Sequence, residues 1–101
     1  MIVRLGWTRT ADKRGIAHED AIFAMTGGRL WFVAKFERSR IPGTPDPSLF
    51  VGYARDGVTM LEVMVEPEEP NTLIVYHVMQ ARPRIVGMAR RRGVTPTKEE
   101  Q

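Results

Sequence analysis

The sequence contains no cysteine, which excludes disulfide cross-links and thiolate-based metal or redox chemistry. It has no apolar run approaching the roughly 18 residues that a membrane-spanning helix needs. Its opening stretch, Met1 to Trp7, carries no cleavage-like segment, so the reading is a soluble cytoplasmic protein with no membrane role. Histidine is scarce. His18 and His77 are far apart and match neither an HxH nor an HExxH spacing, so neither a metal nor a cofactor is expected. A phosphate-binding Gly-rich loop, a GxGxxG, a GxSxG and a constellation of carboxylates are all missing. Those absences remove support for most large enzyme classes and leave room for a small metal-free nuclease.

What is present is enough for one modest core. The 101 residues, 43% hydrophobic, suit a single domain over 1–93 followed by a frayed tail at 94–101. Net charge is only +3, but it is unevenly distributed. Five arginines and no acid fall between Gln80 and Gly93, whereas acids gather at Glu62, Glu66, Glu68 and Glu69. Segregation of this kind suits an anionic partner on one face. The plainer explanation for Arg90, Arg91 and Arg92 is a solvated helix end that complements the helix dipole.

Two short helices are expected at 11–14, capped by Thr8 or Thr10, and at 18–25, where Glu19 and Asp20 occupy the first turn. Residues 30–36 are aromatic and β-branched and read as a strand. Residues 37–47 hold three of the seven prolines and read as an exposed, mobile loop. Residues 49–55 and 58–66 flank Asp56-Gly57, a strong hairpin signal, and a third antiparallel strand follows at 73–78. A helix then enters at Pro83 and ends before Gly93. The expected fold is α+β, with N-terminal helices packed on a twisted antiparallel sheet of three to four strands and a C-terminal helix.

Strand alternation sorts the hairpin into two faces. Val51, Tyr53, Arg55, Met60, Glu62 and Met64 share one. Phe50, Gly52, Ala54, Leu61, Val63 and Val65 share the other, the better candidate for a helix-covered core. The longer turn at 67–71 leaves the next register open: His77 faces Glu62 on the first face, or Leu61 in the core. Imidazole is suited to general acid or base work near neutral pH, and Glu62 beside it would orient the ring. The alternative is a half-buried strand histidine bonded to backbone. Tyr53 can stack a base or fill a core edge, and Trp7, Trp31, Phe32 and Phe36 read as core. Met60 and Met64 read as sheet packing or a partner surface.

Three segments taken in order resemble a known family. Trp7-Thr8, Ala11-Asp12-Lys13-Arg14-Gly15-Ile16 and His18-Glu19-Asp20-Ala21 resemble the opening of BrnT-like toxins of bacterial type II toxin–antitoxin pairs. Leu49 to Tyr53 with Met60 to Val63 looks like the central hairpin of that family, and His77 to Arg84 like its closing strand and its Ala-Arg step into a basic helix. Arg14 stands where the family motif has histidine. The resemblance spans roughly residues 5–92 and implies a RelE/ParE-like fold and ribosome-independent endoribonuclease activity. A cognate antitoxin would restrain it, as a homodimer or a toxin–antitoxin hetero-oligomer. The family's Ala-Arg arginine carries over to Arg82. On this basis His77, Arg82 and Glu62 are the candidate catalytic residues, and Arg55, Arg84, Lys13, Arg14 and Tyr53 the candidate RNA contacts. Three other readings remain: a non-catalytic nucleic-acid-binding module, a protein-interaction domain, and a ParE-like toxin acting on gyrase.

Overall fold

The computed structural model describes residues 3–96. In chain order they form β1 (Arg4–Trp7), α1 (Arg9–Asp12), α2 (His18–Met25), β2 (Arg29–Val33), β3 (Ser48–Tyr53), β4 (Met60–Glu68), β5 (Thr72–Gln80) and α3 (Pro83–Arg92). The α+β class matches the expectation, but the sheet has five strands in the order β1-β5-β4-β3-β2. The additional strand is β1, which joins the β5 edge in parallel, so the sheet is mixed rather than antiparallel. Four residues long and paired only with a partner far along the chain, β1 has no local turn signal to announce it.

The helices also sit differently from the expected single covering layer. Ala11, Ala21 and Ala24 of α1 and α2 pack on Leu61, Val63, Val65, Val75 and Val78 of one sheet face. Ile85 and Ala89 of α3 pack on Val33, Leu49, Val51 and Met64 of the opposite face. The face first read as available for chemistry is thus largely roofed by α3, and Met60 and Met64 are sheet packing under that helix. Both faces of the central strands are apolar because both are covered. The small residues of α2 allow a close approach: a Cβ at Gly52 would lie 2.1 Å from the Ala24 carbonyl oxygen.

The hairpin register matches the expectation, with Val51 opposite Glu62 and Tyr53 opposite Met60. Its connection is longer than a two-residue loop. Gly57 N donates to Ala54 O, and Asp56 Oδ1 accepts from the amides of Val58 and Thr59.

The β4–β5 pairing agrees with neither anticipated register. His77 lies opposite Met64, and Glu62 lies opposite Met79. One step later Val65 pairs with Val75, leaving Tyr76 as an extra residue on β5. This bulge breaks the period of two: Val75 and Val78, three apart, are both buried in the core beneath α1 and α2. The two residues between them, Tyr76 and His77, therefore both face the α3 side. Thr10 Oγ1 of α1 donates to the Tyr76 carbonyl at 2.8 Å and helps hold the bulge in place.

On the other side, His18 stacks on Trp7 with ring centroids 3.7 Å apart and bonds Asp12, tying β1, α1 and α2 together. The 37–47 loop, expected to be mobile, is tied at its base. Phe36 N donates to Pro47 O at 3.0 Å, Ser39 N to Asp46 Oδ1 at 2.8 Å, and Arg92 reaches the Phe36 carbonyl. Val94 exchanges two backbone hydrogen bonds with Phe32, so the presumed tail begins docked on β2. Its remainder from residue 97 lies outside the described residues. Among the described residues no helix is long and apolar enough to cross a membrane.

Candidate active site

Glu62, the third residue of β4, has no exposed surface, and every lone-pair direction of its carboxylate is engaged. Oε1 accepts from the Arg82 backbone amide at 2.9 Å and from Arg82 Nε at 3.1 Å. Oε2 accepts from Arg82 Nη2 at 2.7 Å and from His77 Nε2 at 2.9 Å. The His77 contact is diagonal across the ladder, which long side chains can bridge. Burial alone would raise the Glu62 pKa. The donors from His77 and Arg82 outweigh it and hold the carboxyl down at about 2, against an ordinary 4.5.

That arrangement assigns roles. A fully buried carboxylate with a pKa of about 2 and four donors upon it is no proton acceptor at neutral pH. Glu62 is instead engaged in holding its neighbours, in line with the expectation that it orients the His77 ring. It clamps the entrance of α3 through the Arg82 amide, and it fixes the His77 ring. An ionised carboxylate only accepts, so His77 Nε2 carries the hydrogen and Nδ1 is the nitrogen left for other partners. Arg82 commits its side-on Nε/Nη2 edge to Glu62, which raises its pKa and leaves the Nη1/Nη2 end as its outward donor edge.

His77 and Arg82 open into a cleft of about 520 Å3 between β5, α3 and the 37–47 loop. Arg84 from the first turn of α3 lines it, as do Arg38 and Arg40 from the loop and Tyr76 from the bulge. Four arginines on two walls make an anion-attracting groove. Glu37 and Glu66 also line the cleft, and their charges and that of Arg40 act on Tyr76. Burial first, then the Glu37 and Glu66 charges, push the Tyr76 phenol well above its usual range, so it stays protonated.

Of the residues expected from sequence, His77, Arg82 and Glu62 are brought together and Arg84 joins them. The other four are elsewhere. Arg55 is held by Asp20 at the end of the β3–β4 hairpin, Nε to Oδ1 at 2.8 Å, an ion pair that lowers the Asp20 pKa. Lys13 and Arg14 belong to the α1–α2 connection beneath the opposite face, where Arg14 borders a separate hollow with Asp20 and Asp56. Tyr53 pairs with Met60 and does not line the cleft. Sequence reasoning missed Arg38 and Arg40, although Arg-Ser-Arg beside three prolines was a visible cue. It also missed Tyr76, because strict alternation assigns neighbouring residues to opposite faces.

No protein-family model, curated protein or solved structure matches this chain.

The charge cluster predicts an acid transition. Because the folded-state pKa of Glu62 is depressed, its stabilisation is fully present above about pH 4.5 and is lost as pH falls towards 2. The loss is expected to reach roughly 2 kcal/mol, reduced from the full linkage value because solvent reaches Arg82. Thermal melts between pH 6 and pH 2 should show this drop in the native chain and a flatter profile in Glu62→Gln.

Proposed function

We propose that this protein is a metal-independent endoribonuclease, the toxin of a type II toxin–antitoxin pair, whose substrate backbone lies in the His77–Arg82 cleft. The observation that carries the reading is one imidazole with a free ring nitrogen beside Arg82, Arg84, Arg38 and Arg40 in a single groove. The ordered resemblance of the Trp7–Ala21, hairpin and His77–Arg84 segments to BrnT-like toxins supports it from the sequence side.

In this mechanism His77 Nδ1 accepts the proton of a ribose 2′-OH as that oxygen attacks the adjacent phosphorus. The bond to the 5′-oxygen breaks, and that oxygen takes a proton from the imidazolium. The products are a 2′,3′-cyclic phosphate and a 5′-hydroxyl. The outward edge of Arg82, with Arg84, stabilises charge developing on the non-bridging oxygens. Glu62 holds the required tautomer and stabilises the imidazolium as it forms.

Purified protein is expected to cut single-stranded RNA in buffer containing excess EDTA. Binding to a non-cleavable 2′-O-methyl strand should weaken steeply with salt, with a slope reflecting about three to four phosphate contacts. A second reading, a non-catalytic RNA-binding module, is favoured by the commitment of the Arg82 side-on edge to Glu62. Salt-dependent binding with no cleavage would select it, and growth arrest with intact RNA would select a gyrase poison.

A further inference from the structure

The cleft is chemically two-sided. Its α3 wall carries Arg82 and Arg84, whereas the bulge side presents Tyr76 with the charges of Glu37, Glu66 and Arg40 acting on it. Glu62, Met64 and Glu66 alternate along β4 onto the cleft side, and the bulge turns Tyr76 onto that same side next to His77. Among the described residues the Tyr76 hydroxyl and the carboxylates of Glu37 and Glu66 make no hydrogen bond or ion pair. Carboxylates repel phosphate, so the side carrying Glu37 and Glu66 is less suited to the backbone than the Arg82–Arg84 wall. It offers instead a ring face, one O–H donor and acceptor-only oxygens.

Resting on the nuclease reading, we propose that the Tyr76 end of the cleft is a base-recognition subsite selecting guanine in single-stranded RNA. The Watson–Crick edges of the bases decide the choice. Guanine presents an acceptor, O6, followed by two donors, N1–H and the N2 amino group. Tyr76 O–H answers the acceptor and a carboxylate answers the two donors. Uracil has one donor between two acceptors, cytosine one donor beside two acceptors, and adenine a single amino donor beside an acceptor, so each leaves a donor or acceptor of the site or of the base unpaired. Reading a Watson–Crick edge in this way is open only to an unpaired strand whose bases can splay out. Single-strandedness also agrees with the chemistry, because in-line attack by a 2′-OH needs a backbone free to leave A-form geometry. The base then sits beside His77 and its phosphate reaches the Arg82–Arg84 wall.

The test uses 2′-O-methyl octanucleotides, which cannot be cleaved, of one background sequence with a single central guanine, inosine, adenine, uracil or cytosine. Affinity is read by fluorescence anisotropy. The guanine strand is expected to bind at least tenfold tighter than the inosine strand, which lacks only the N2 amino group. The Glu37→Gln/Glu66→Gln double variant, checked for folding by thermal melting, should bring that ratio close to one, and Tyr76→Phe should shrink the guanine-over-adenine ratio. Equal affinity for all five strands, a guanine preference unchanged in the double variant, or no binding at all overturns the subsite. Cleavage of the matching unmodified strands is scored separately. Cleavage without base preference overturns the subsite and keeps the nuclease reading. Guanine-selective binding without cleavage keeps the subsite and rejects catalysis.

Discussion

Arg82→Ala is expected to lose about 3 kcal/mol of folding stability together with all detectable RNA cleavage. Glu62 has no exposed surface, and Arg82 supplies two of the side-chain donors that keep it ionised there. Removing one partner of a buried pair leaves the other charge uncompensated and costs about 3–5 kcal/mol. The lower end applies because the residue-82 amide and His77 still reach the carboxylate. Loss of activity in this variant alone is therefore ambiguous, since α3 enters the fold at the same point. The ambiguity is removed by Arg82→Met combined with Glu62→Met, which deletes both charges. That double variant should recover most of the stability, because replacing a buried pair by apolar groups is often neutral, and it should remain inactive. Urea denaturation of the three proteins measures the first effect and RNA cleavage the second. A single variant as stable as the native chain would contradict the buried-anion account.

The second large effect separates catalysis from architecture. His77→Ala removes one of four donors to Glu62, so its stability cost is expected to be about 1 kcal/mol. Its single-turnover cleavage rate should nevertheless fall by roughly a hundredfold to ten-thousandfold, the usual contribution of a positioned acid–base group. RNA affinity should change little, because the arginines remain. Glu62→Gln is the informative companion. It leaves the imidazole in place but replaces an acceptor-only oxygen pair with an amide, which frees the ring to adopt either tautomer. Its rate should fall less than that of His77→Ala, and its pH–rate profile should move. A profile identical to the native one would show that Glu62 does not act through His77.

Much of this arrangement is legible in the sequence. Asp56-Gly57 and the period-two apolar residues fixed the β3–β4 pairing, so Glu62 was correctly placed on one face with Val51 and Met64. The pairing of His77 with that face was one of two open options. Pro83 and Gly93 marked the ends of α3, and His18 and Met25 bounded α2.

Three features escaped for physical reasons. The resemblance implied a Trp-containing opening strand at Trp7, but the parallel pairing of β1 with β5 joins residues some seventy positions apart, which no local pattern encodes. The bulge at Tyr76 is one extra residue in a strand whose own sequence, Leu73 to Val78, is a nearly continuous apolar run with no glycine or proline to mark it. Its consequence, a tyrosine and a histidine side by side, follows only from the partner strand. The separation of Arg55, Lys13 and Arg14 from Arg82 reflects the opposite faces chosen by α2 and α3, and charge counting along the chain is blind to faces. Four of the five arginines of residues 80–93 accordingly divide. Arg82 and Arg84 line the cleft, Arg90 lies over the Trp31 ring at 5.5 Å, and Arg92 bonds the base of the loop. The charge that first suggested a polyanion thus serves partly as packing.

The central claim is that the cleft drives attack by a ribose 2′-hydroxyl, and it is tested most directly with two single-stranded oligonucleotides in EDTA. One is all-RNA, and the other carries a single 2′-deoxy residue at the cleavage position mapped on the first. The account predicts that the all-RNA strand yields a 2′,3′-cyclic phosphate and a 5′-hydroxyl end, and that the deoxy strand survives at that position. Cutting of both strands at that bond, or of neither, would contradict it.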